Sequence, residues 1–235
     1  MTRLGLALPD LVAHAEAPGQ GSPVTRADLA ADAILTRALE EHAPHIQIVS
    51  EENSASHTNS APAQFFLVDP LDGTREFIHT DGQGAFTVNI GLIENGAPVA
   101  GVVYAPALDQ YFEGAVGEGA YKNGQAIFAR YPPADRLAVA SLSHRDEATD
   151  NWLHAQNIEQ TRSIGSSLKF GLLATGEADV YPRFGPTMEW DTAAGDAVLR
   201  AAGGAVETAD GKVYTYGKAG YRNEPFIAYG KRSPA

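Results

Sequence analysis

Residues 65–74, with the sequence FFLVDPLDGT, run from an apolar strand directly into two aspartates and a glycine-threonine turn. Asp69 and Asp72 would stand at the carboxyl end of that strand, where α/β folds build their sites. Two hard oxygen donors three residues apart can hold Mg²⁺. Gly73 permits a tight turn, after which the N–H groups of Gly73 and Thr74 would point at a bound phosphate. The segment therefore predicts a combined metal and phosphate site.

Two other acidic motifs could join this site. Glu51 and Glu52 follow the short apolar run 46–49, and Asp191 stands where an N-cap or first-turn acid of a small-residue helix would sit. Each motif has a simpler interpretation, since paired glutamates are usually solvated and an acid at a helix start usually caps it. An Asp-rich β-turn would likewise explain the aspartates of residues 69–72. The occurrence of all three motifs in one chain favours a shared site.

Taken in order, these motifs resemble those of the inositol monophosphatase superfamily of Mg²⁺-dependent, lithium-sensitive phosphatases. The resemblance runs from about Gly21 to the end, and its motifs are residues 22–28 (SPVTRAD), 50–52 (SEE), 69–77 (DPLDGTREF) and 190–195 (WDTAAG). Two further segments, 163–170 (SIGSSLKF) and 181–187 (YPRFGPT), most resemble the CysQ-type 3′(2′),5′-bisphosphate nucleotidases within that superfamily.

The resemblance implies a ligand set for the cofactor, Mg²⁺. One ion would be held by Glu51, Asp69 and the carbonyl of Leu71, and a second by Asp69, Asp72 and Asp191. Two or three ions are expected in all, with inhibition by Li⁺ or Ca²⁺.

The resemblance also implies roles for residues that touch the reacting phosphate. Asp28 and Thr74 would form the catalytic pair, with Asp28 accepting a proton through the Thr74 hydroxyl. Gly73 and Thr74 would bind the phosphate through their backbone. Glu52 would contact a metal through a water, although it fits a plain surface acid nearly as well.

Substrate specificity would depend on a set of basic and polar residues. Arg183 takes the place of the acidic residue that accepts hydrogen bonds from sugar hydroxyls in inositol phosphatases, and a forked cation suits a second phosphate better than a polyol. The other residues expected to bind the 5′-phosphate and ribose are Ser166, Lys169 and His144. Solvent-facing charges and an incidental loop histidine are the alternatives.

These residues predict a phosphatase that removes the 3′-phosphate from adenosine 3′,5′-bisphosphate to give AMP, and that also acts on the sulfated relative of this nucleotide. An inositol or sugar monophosphatase is the alternative within the same class. By this resemblance, Pro18 and Gln20 stand where the family has a lysine and an aspartate, and the N-terminal helix is expected to be shortened. A catalytically weak nucleotide-binding protein is therefore the alternative from another class.

Composition limits the partners. The formal charge of −12 argues against nucleic acid and anionic membranes as partners, and the absence of cysteine excludes disulfides and thiolate chemistry. No stretch is long and apolar enough to be an integral membrane segment. We expect a cytoplasmic enzyme, or one peripheral at the inner membrane, that binds a small phosphorylated molecule as a monomer or homodimer.

The periodicity predicts two unlike halves. Helices are expected over 28–42, 146–156, 168–175 and 191–202, strands over 86–92, 100–104, 111–116, 137–141 and 179–181, and a loop over 53–64. Residues 1–130 would form an α+β subdomain with most metal ligands, and residues 131–235 an α/β subdomain with the substrate-binding residues and Asp191. The resemblance implies the layered α-β-α-β-α sandwich of the inositol monophosphatase and fructose-1,6-bisphosphatase type.

Overall fold

The protein is represented by a computed structural model, which describes residues 25–57, 60–80, 82–141 and 145–232. Its helices are α1 (Arg26–His42), α2 (Thr74–His79), α3 (Glu147–Ala155), α4 (Leu168–Ala174) and α5 (Ala193–Ala201). Its strands are β1 (Gln47–Ser50), β2 (Gln64–Asp72), β3 (Thr87–Glu94), β4 (Ala97–Ala105), β5 (Gln110–Ala115), β6 (Gly119–Lys122), β7 (Gln125–Ile127), β8 (Leu137–Ser141), β9 (Gln160–Ile164), β10 (Val180–Arg183), β11 (Ala205–Thr208) and β12 (Phe226–Tyr229).

The larger sheet takes its seven strands in chain order, from β1 to β7. β1 and β2 are parallel, whereas every later pair is antiparallel. The turn between β3 and β4 has Asn95 and Gly96 at φ 49° and 78°, the left-handed pair that a tight hairpin requires. The parallel pair places the carboxyl ends of β1 and β2 at one edge of the sheet, which is where the acidic motifs lie.

The smaller sheet has the order β11-β12-β10-β8-β9. The pairs β10-β8 and β8-β9 on one side of this sheet are parallel, and its other two pairs are antiparallel. The alternation of helix and strand over residues 137–183 predicted this half, but β9, β11 and β12 carry no clear pattern and were not predicted. β12 is buried, and β9 is mostly exposed, so neither strand shows a simple polar-apolar alternation.

Helices α4 and α5 lie between the two sheets. α5 packs on the larger sheet at Gly91, Gly101 and Gly114, where an added Cβ would come within 2.9 Å of the helix. α4 packs against α5 and against β10 of the smaller sheet, while α1 covers β2 and α3 contacts β10. The layers are thus helix, sheet, helix pair, sheet and helix, which confirms the predicted α-β-α-β-α sandwich.

Most predicted elements are confirmed within a few residues, with one local correction. Asp191 was expected as an N-cap or first-turn acid, but α5 begins two residues later and Asp191 closes a short 3₁₀ turn, Glu189–Asp191. Its Oδ2 accepts the N–H of Met188 at 2.8 Å, so the side chain is turned away from capping α5. Pro18, Gln20 and His144 lie outside the described residues. The division at residue 130 stays a prediction.

Candidate active site

β2 ends in an irregular stretch that carries Asp69 and Asp72. The pairing with β3 shifts register between Asp69 and Asp72, so the chain no longer follows the ladder there. Asp69 Oδ1 accepts the N–H of Leu71 at 3.0 Å. Gly73 follows with φ +92°, a conformation that glycine adopts at little cost, and turns the chain into α2.

Three carboxylates meet at this edge. Glu51 follows β1, and its N–H donates to the carbonyl of Val68 at 3.1 Å, so it continues the parallel pairing beside Asp69. Asp191 approaches from the segment that leads into α5. One oxygen from each of Glu51, Asp69 and Asp191 lies within 4.8 Å of the other two. Asp72 does not belong to that closest group.

Burial and mutual repulsion raise the pKa values of all three carboxylates in this cluster. Burial, followed by the charges of Asp191 and Glu52, raises the pKa of Glu51 to about 8. Burial and the three neighbouring carboxylates raise the pKa of Asp69 well above its ordinary value. The pKa of Asp191 rises to about 7, mainly by burial and then by the charge of Asp72. Hard oxygen donors that repel one another in this way fit a divalent cation such as Mg²⁺.

Asp72 lies beside the cluster, in a different environment. Burial raises its pKa, while the charge of Lys169 and hydrogen bonds from Ser167 oppose the rise. Its Oδ2 accepts the backbone N–H of Ser167 at 2.5 Å and the Ser167 hydroxyl at 2.7 Å. Asp72 is therefore held by residues of the second half of the molecule.

Asp28 and Thr74 are brought together across 46 residues of sequence. The Thr74 hydroxyl donates toward Asp28 Oδ1 at 3.2 Å and has a second acceptor, the carbonyl of Leu71, at 3.1 Å. Asp28 also closes a capping box with Thr25, whose N–H donates to Asp28 Oδ2 at 2.8 Å. Several effects act on the pKa of Asp28, and the largest of them, burial, raises it. The carboxyl therefore has an increased tendency to accept a proton.

Glu52 is set apart from the three-carboxylate cluster. Burial, followed by the charges of Asp28 and Asp32, raises its pKa to about 7. The side chain is only partly exposed, which argues against a plain surface acid.

Two buried cations face the carboxylates across the cleft. Lys169 is 4 % exposed, and its ammonium donates to the carbonyls of Ser166 at 2.5 Å and Ile164 at 3.3 Å. Burial lowers the pKa of Lys169 to about 8. Arg183 is 6 % exposed and donates to the carbonyls of Gly185 and Pro186 at 3.2 and 2.8 Å. Neither residue is the solvent-facing charge that the simpler interpretation required.

Most of these groups border one cleft of about 560 Å³ between the two halves, and Asp28 and Glu52 are not among its lining residues. It contains the following predicted site residues: Glu51, Asp69, Leu71, Asp72, Gly73, Thr74, Ser166, Lys169, Arg183 and Asp191. Asp28 is connected to the cleft by the hydrogen bond that it accepts from Thr74, a lining residue. A second concavity, of about 400 Å³, lies on the outer face of the larger sheet, and its largely apolar lining includes none of the predicted site residues.

Several residues around the cleft were not predicted. Ser167 and Asn89 contact Asp72, and Arg75 lines the cleft beside Thr74. His57 Nε2 lies 2.7 Å from the carbonyl of Ser50, and its ring stacks on Trp190 at 4.7 Å. Ser167 and Arg75 stand inside recognisable motifs, which could have drawn attention to them. Nothing in the sequence pairs His57 or Asn89 with the site.

The layers and the cleft together define the class, a metal-dependent phosphatase of the layered-sandwich type. Within the described residues, no helix combines the length and apolarity needed to cross a bilayer.

A sequence model of the inositol monophosphatase family matches residues 4–231, and the chain belongs to that family. The 3′(2′),5′-bisphosphate nucleotidase CysQ of Salmonella typhimurium is 47% identical over 83% of this chain and 80% of its own length. The protein of the same name from Escherichia coli K12 is 44% identical over 88% and 83%. The crystal structure of CysQ from Bacteroides thetaiotaomicron superposes with a TM-score of 0.80 at 34% identity, covering 96% of this chain and 93% of that one. The predicted family and fold are both confirmed, and Mg²⁺ dependence is general in the family.

Proposed function

We propose that this protein is a Mg²⁺-dependent 3′(2′),5′-bisphosphate nucleotidase that converts adenosine 3′,5′-bisphosphate to AMP. The observation that carries the proposal is the placement of a three-carboxylate cluster and two buried cations in one cleft. The similarity to CysQ nucleotidases over more than four fifths of the chain supports the same activity. A substrate with two phosphates fits a cleft that has a metal site for one and cations for the other.

The residues that would hold Mg²⁺ are Glu51, Asp69, Asp72, Asp191 and the carbonyl of Leu71. Bound there, the metal would supply charge neutralisation at the phosphoryl group and a lowered pKa for water. The protein's part is to keep these oxygens fixed and close together, so that little reorganisation is needed when charge develops on the phosphate.

Asp28 and Thr74 would move the proton that the attacking water releases. Thr74 has a single hydroxyl proton and two acceptors at nearly equal distance, Asp28 Oδ1 and the Leu71 carbonyl. If the Leu71 carbonyl binds Mg²⁺, Asp28 is the acceptor that remains for the Thr74 hydroxyl proton. The raised pKa of Asp28 suits it to take up a proton through that hydroxyl.

Lys169 and Arg183 would bind the second phosphate. The Lys169 ammonium has three N–H groups, of which two donate to main-chain carbonyls, and Arg183 has five, of which two do so. Within the part of the chain that the structure describes, the remaining donors have no hydrogen-bond partner and would be available to a ligand, while the carbonyls hold both side chains in place. Ser166, His144 and the backbone of Gly73 complete the proposed substrate contacts.

The test is phosphate release from adenosine 3′,5′-bisphosphate and from inositol 1-phosphate, measured side by side with Mg²⁺ and with chelator. We expect chelator-sensitive release from the nucleotide and little from inositol 1-phosphate. Arg183→Glu should weaken nucleotide use and improve inositol phosphate use. Faster release from inositol phosphate by the unaltered protein would favour the sugar phosphatase alternative. Nucleotide binding without release would favour the binding protein.

Three finer points remain predictions. They are the number of Mg²⁺ ions, with inhibition by Li⁺ or Ca²⁺, the oligomeric state, and the cytoplasmic location.

A further inference from the structure

Ser167 is the one described residue whose side chain bonds both to Asp72 and to the main chain of Asp191. It is 2 % exposed and stands at the N-cap position of α4, in the second half of the molecule. Its hydroxyl oxygen lies 2.7 Å from Asp72 Oδ2 and 2.5 Å from the carbonyl oxygen of Asp191. The residue therefore connects the end of β2, in the larger sheet, with the segment that leads into α5.

The hydroxyl is not used as a helix cap. A serine at an N-cap normally accepts an N–H from the first turn, yet the Ser167 side chain makes no such bond. The N–H of Leu168 instead donates to the hydroxyl of Ser166 at 3.3 Å. The local role that would explain a serine here is absent, so its partners across the cleft account for the position of the side chain.

The hydroxyl of Ser167 takes part in three hydrogen-bond contacts, and its backbone N–H makes a further one. A hydroxyl has one proton, so Ser167 donates either to Asp72 Oδ2 or to the Asp191 carbonyl at any moment. It also accepts from Asn89 Nδ2 at 3.0 Å, and Asn89 is a fully buried residue of β3, paired in register with Asp69. The Ser167 backbone N–H donates to Asp72 Oδ2 throughout.

These contacts distinguish the two oxygens of Asp72. The hydrogen bonds described for this carboxylate, from Ser167 and from Asn89 Nδ2 at 3.4 Å, all end on Oδ2. Oδ1 is then the oxygen left for a cation. Fixing the orientation of a ligating carboxylate is the usual role of such outer contacts.

We propose that Ser167 is a positioning residue that orients Asp72 and holds it in register with Asp191, and that it thereby sets the affinity of the cleft for Mg²⁺. The inference rests on the proposed function only in taking the cleft as a Mg²⁺ site. In this role Ser167, which lines the cleft, acts through the two acidic residues rather than by binding the substrate.

The experiment measures Mg²⁺ binding to the full chain by calorimetry without substrate, and the Mg²⁺ concentration that gives half-maximal phosphate release. Ser167→Ala should weaken Mg²⁺ binding about tenfold or more, within the 10- to 100-fold range typical of outer contacts. Because the substrate contacts remain, the KM for the nucleotide at saturating Mg²⁺ should stay near its original value. Ser167→Thr keeps the hydroxyl and should restore most of the Mg²⁺ affinity.

The matched control is Thr175→Ala, at the far end of the same helix. The Thr175 hydroxyl also has two possible acceptors for its proton, the main-chain carbonyl of Leu172 at 3.2 Å and Glu177 at 3.0 Å. Its loss should leave Mg²⁺ binding unchanged. Ser167→Cys is measured in parallel, because it nearly preserves volume and stays informative if the alanine variant fails to fold.

Unchanged Mg²⁺ affinity in folded Ser167→Ala or Ser167→Cys would overturn the inference. A raised KM for the nucleotide with unchanged Mg²⁺ affinity would also overturn it and would assign Ser167 to substrate binding. If the unaltered protein binds Mg²⁺ but releases no phosphate from the bisphosphate nucleotide, the proposed function fails while the calorimetric comparison still decides the role of Ser167.

Discussion

Replacing Lys169 with methionine should stabilise the metal-free, substrate-free protein at neutral pH while impairing its use of a bisphosphate nucleotide. Lys169 is buried, and burial lowers its pKa from 10.5 to about 8. A shift of one pKa unit corresponds to about 1.4 kcal/mol, so the buried charge costs about 3 kcal/mol below pH 8. Methionine has a similar length and no charge, and it would remove this cost.

Part of that gain is offset. The ammonium donates to the carbonyls of Ile164 and Ser166, and each lost hydrogen bond costs about 1 kcal/mol. The expected net stabilisation at pH 7 is therefore about 1 to 2 kcal/mol. A buried cation that costs this much stability is what a site for an anion requires.

The pH dependence supplies an independent check with a defined sign. Between pH 8 and 10.5 the unfolded chain keeps the lysine proton whereas the native state has lost it. Because the unfolded state then binds more protons, the contribution of Lys169 to stability becomes less unfavourable as pH rises. The advantage of the Lys169→Met variant should shrink by about 3 kcal/mol over this interval and reverse sign.

The assay is urea unfolding of both proteins in chelator, at pH values from 6 to 10. Lys212→Met serves as the control, since Lys212 is exposed and its replacement should change stability by less than about 0.5 kcal/mol. In activity measurements with Mg²⁺, Lys169→Met should raise the KM for the bisphosphate nucleotide about 10- to 100-fold, as expected for a lost charge-assisted hydrogen bond. A variant that is less stable at pH 7, with a stability difference that does not change with pH, would refute the reasoning about burial.

Three other changes test the site and the fold. Asp69→Asn should abolish Mg²⁺ binding by calorimetry and reduce phosphate release by about 10²-fold or more, because it removes a charge from the centre of the carboxylate cluster. In chelator, the unfolding midpoint of Asp69→Asn should not fall, because burial and neighbouring charges already disfavour the ionised form of Asp69. A large fall would contradict the assignment of Asp69 as a ligand. Gly101→Ala should lower the free energy of unfolding by about 1 to 3 kcal/mol in a urea titration, because the added Cβ would lie 2.3 Å from the carbonyl oxygen of Ala194. Arg75→Gln should raise the KM for the nucleotide several-fold at low salt and much less at high salt, because Arg75 is an exposed cation at the cleft of an acidic chain.

Much of the candidate site could be predicted from the sequence because its ligands lie in short local motifs. The apolar run that ends at Asp69 and Asp72 specifies a buried strand followed by acids, and the structure has that arrangement. Gly73 was predicted to turn the chain, and its φ of +92° is one that glycine adopts easily. The error at Asp191 arose because a helix-start pattern does not distinguish a capping acid from one that closes a preceding 3₁₀ turn.

The sequence by itself determined the class of elements, the family and the identity of the residues that carry charge, because strand and helix periods and short motifs are local properties. Only the tertiary structure decided which of these residues meet. Ser167 lies 95 residues from Asp72 and hydrogen-bonds to it, and Lys169 is buried although its surrounding sequence does not require it. Both facts depend on α4 lying between two sheets, where contacts between distant segments and exclusion of water act together. Such contacts set the pKa values and the orientation of the ligands, and no local pattern encodes them.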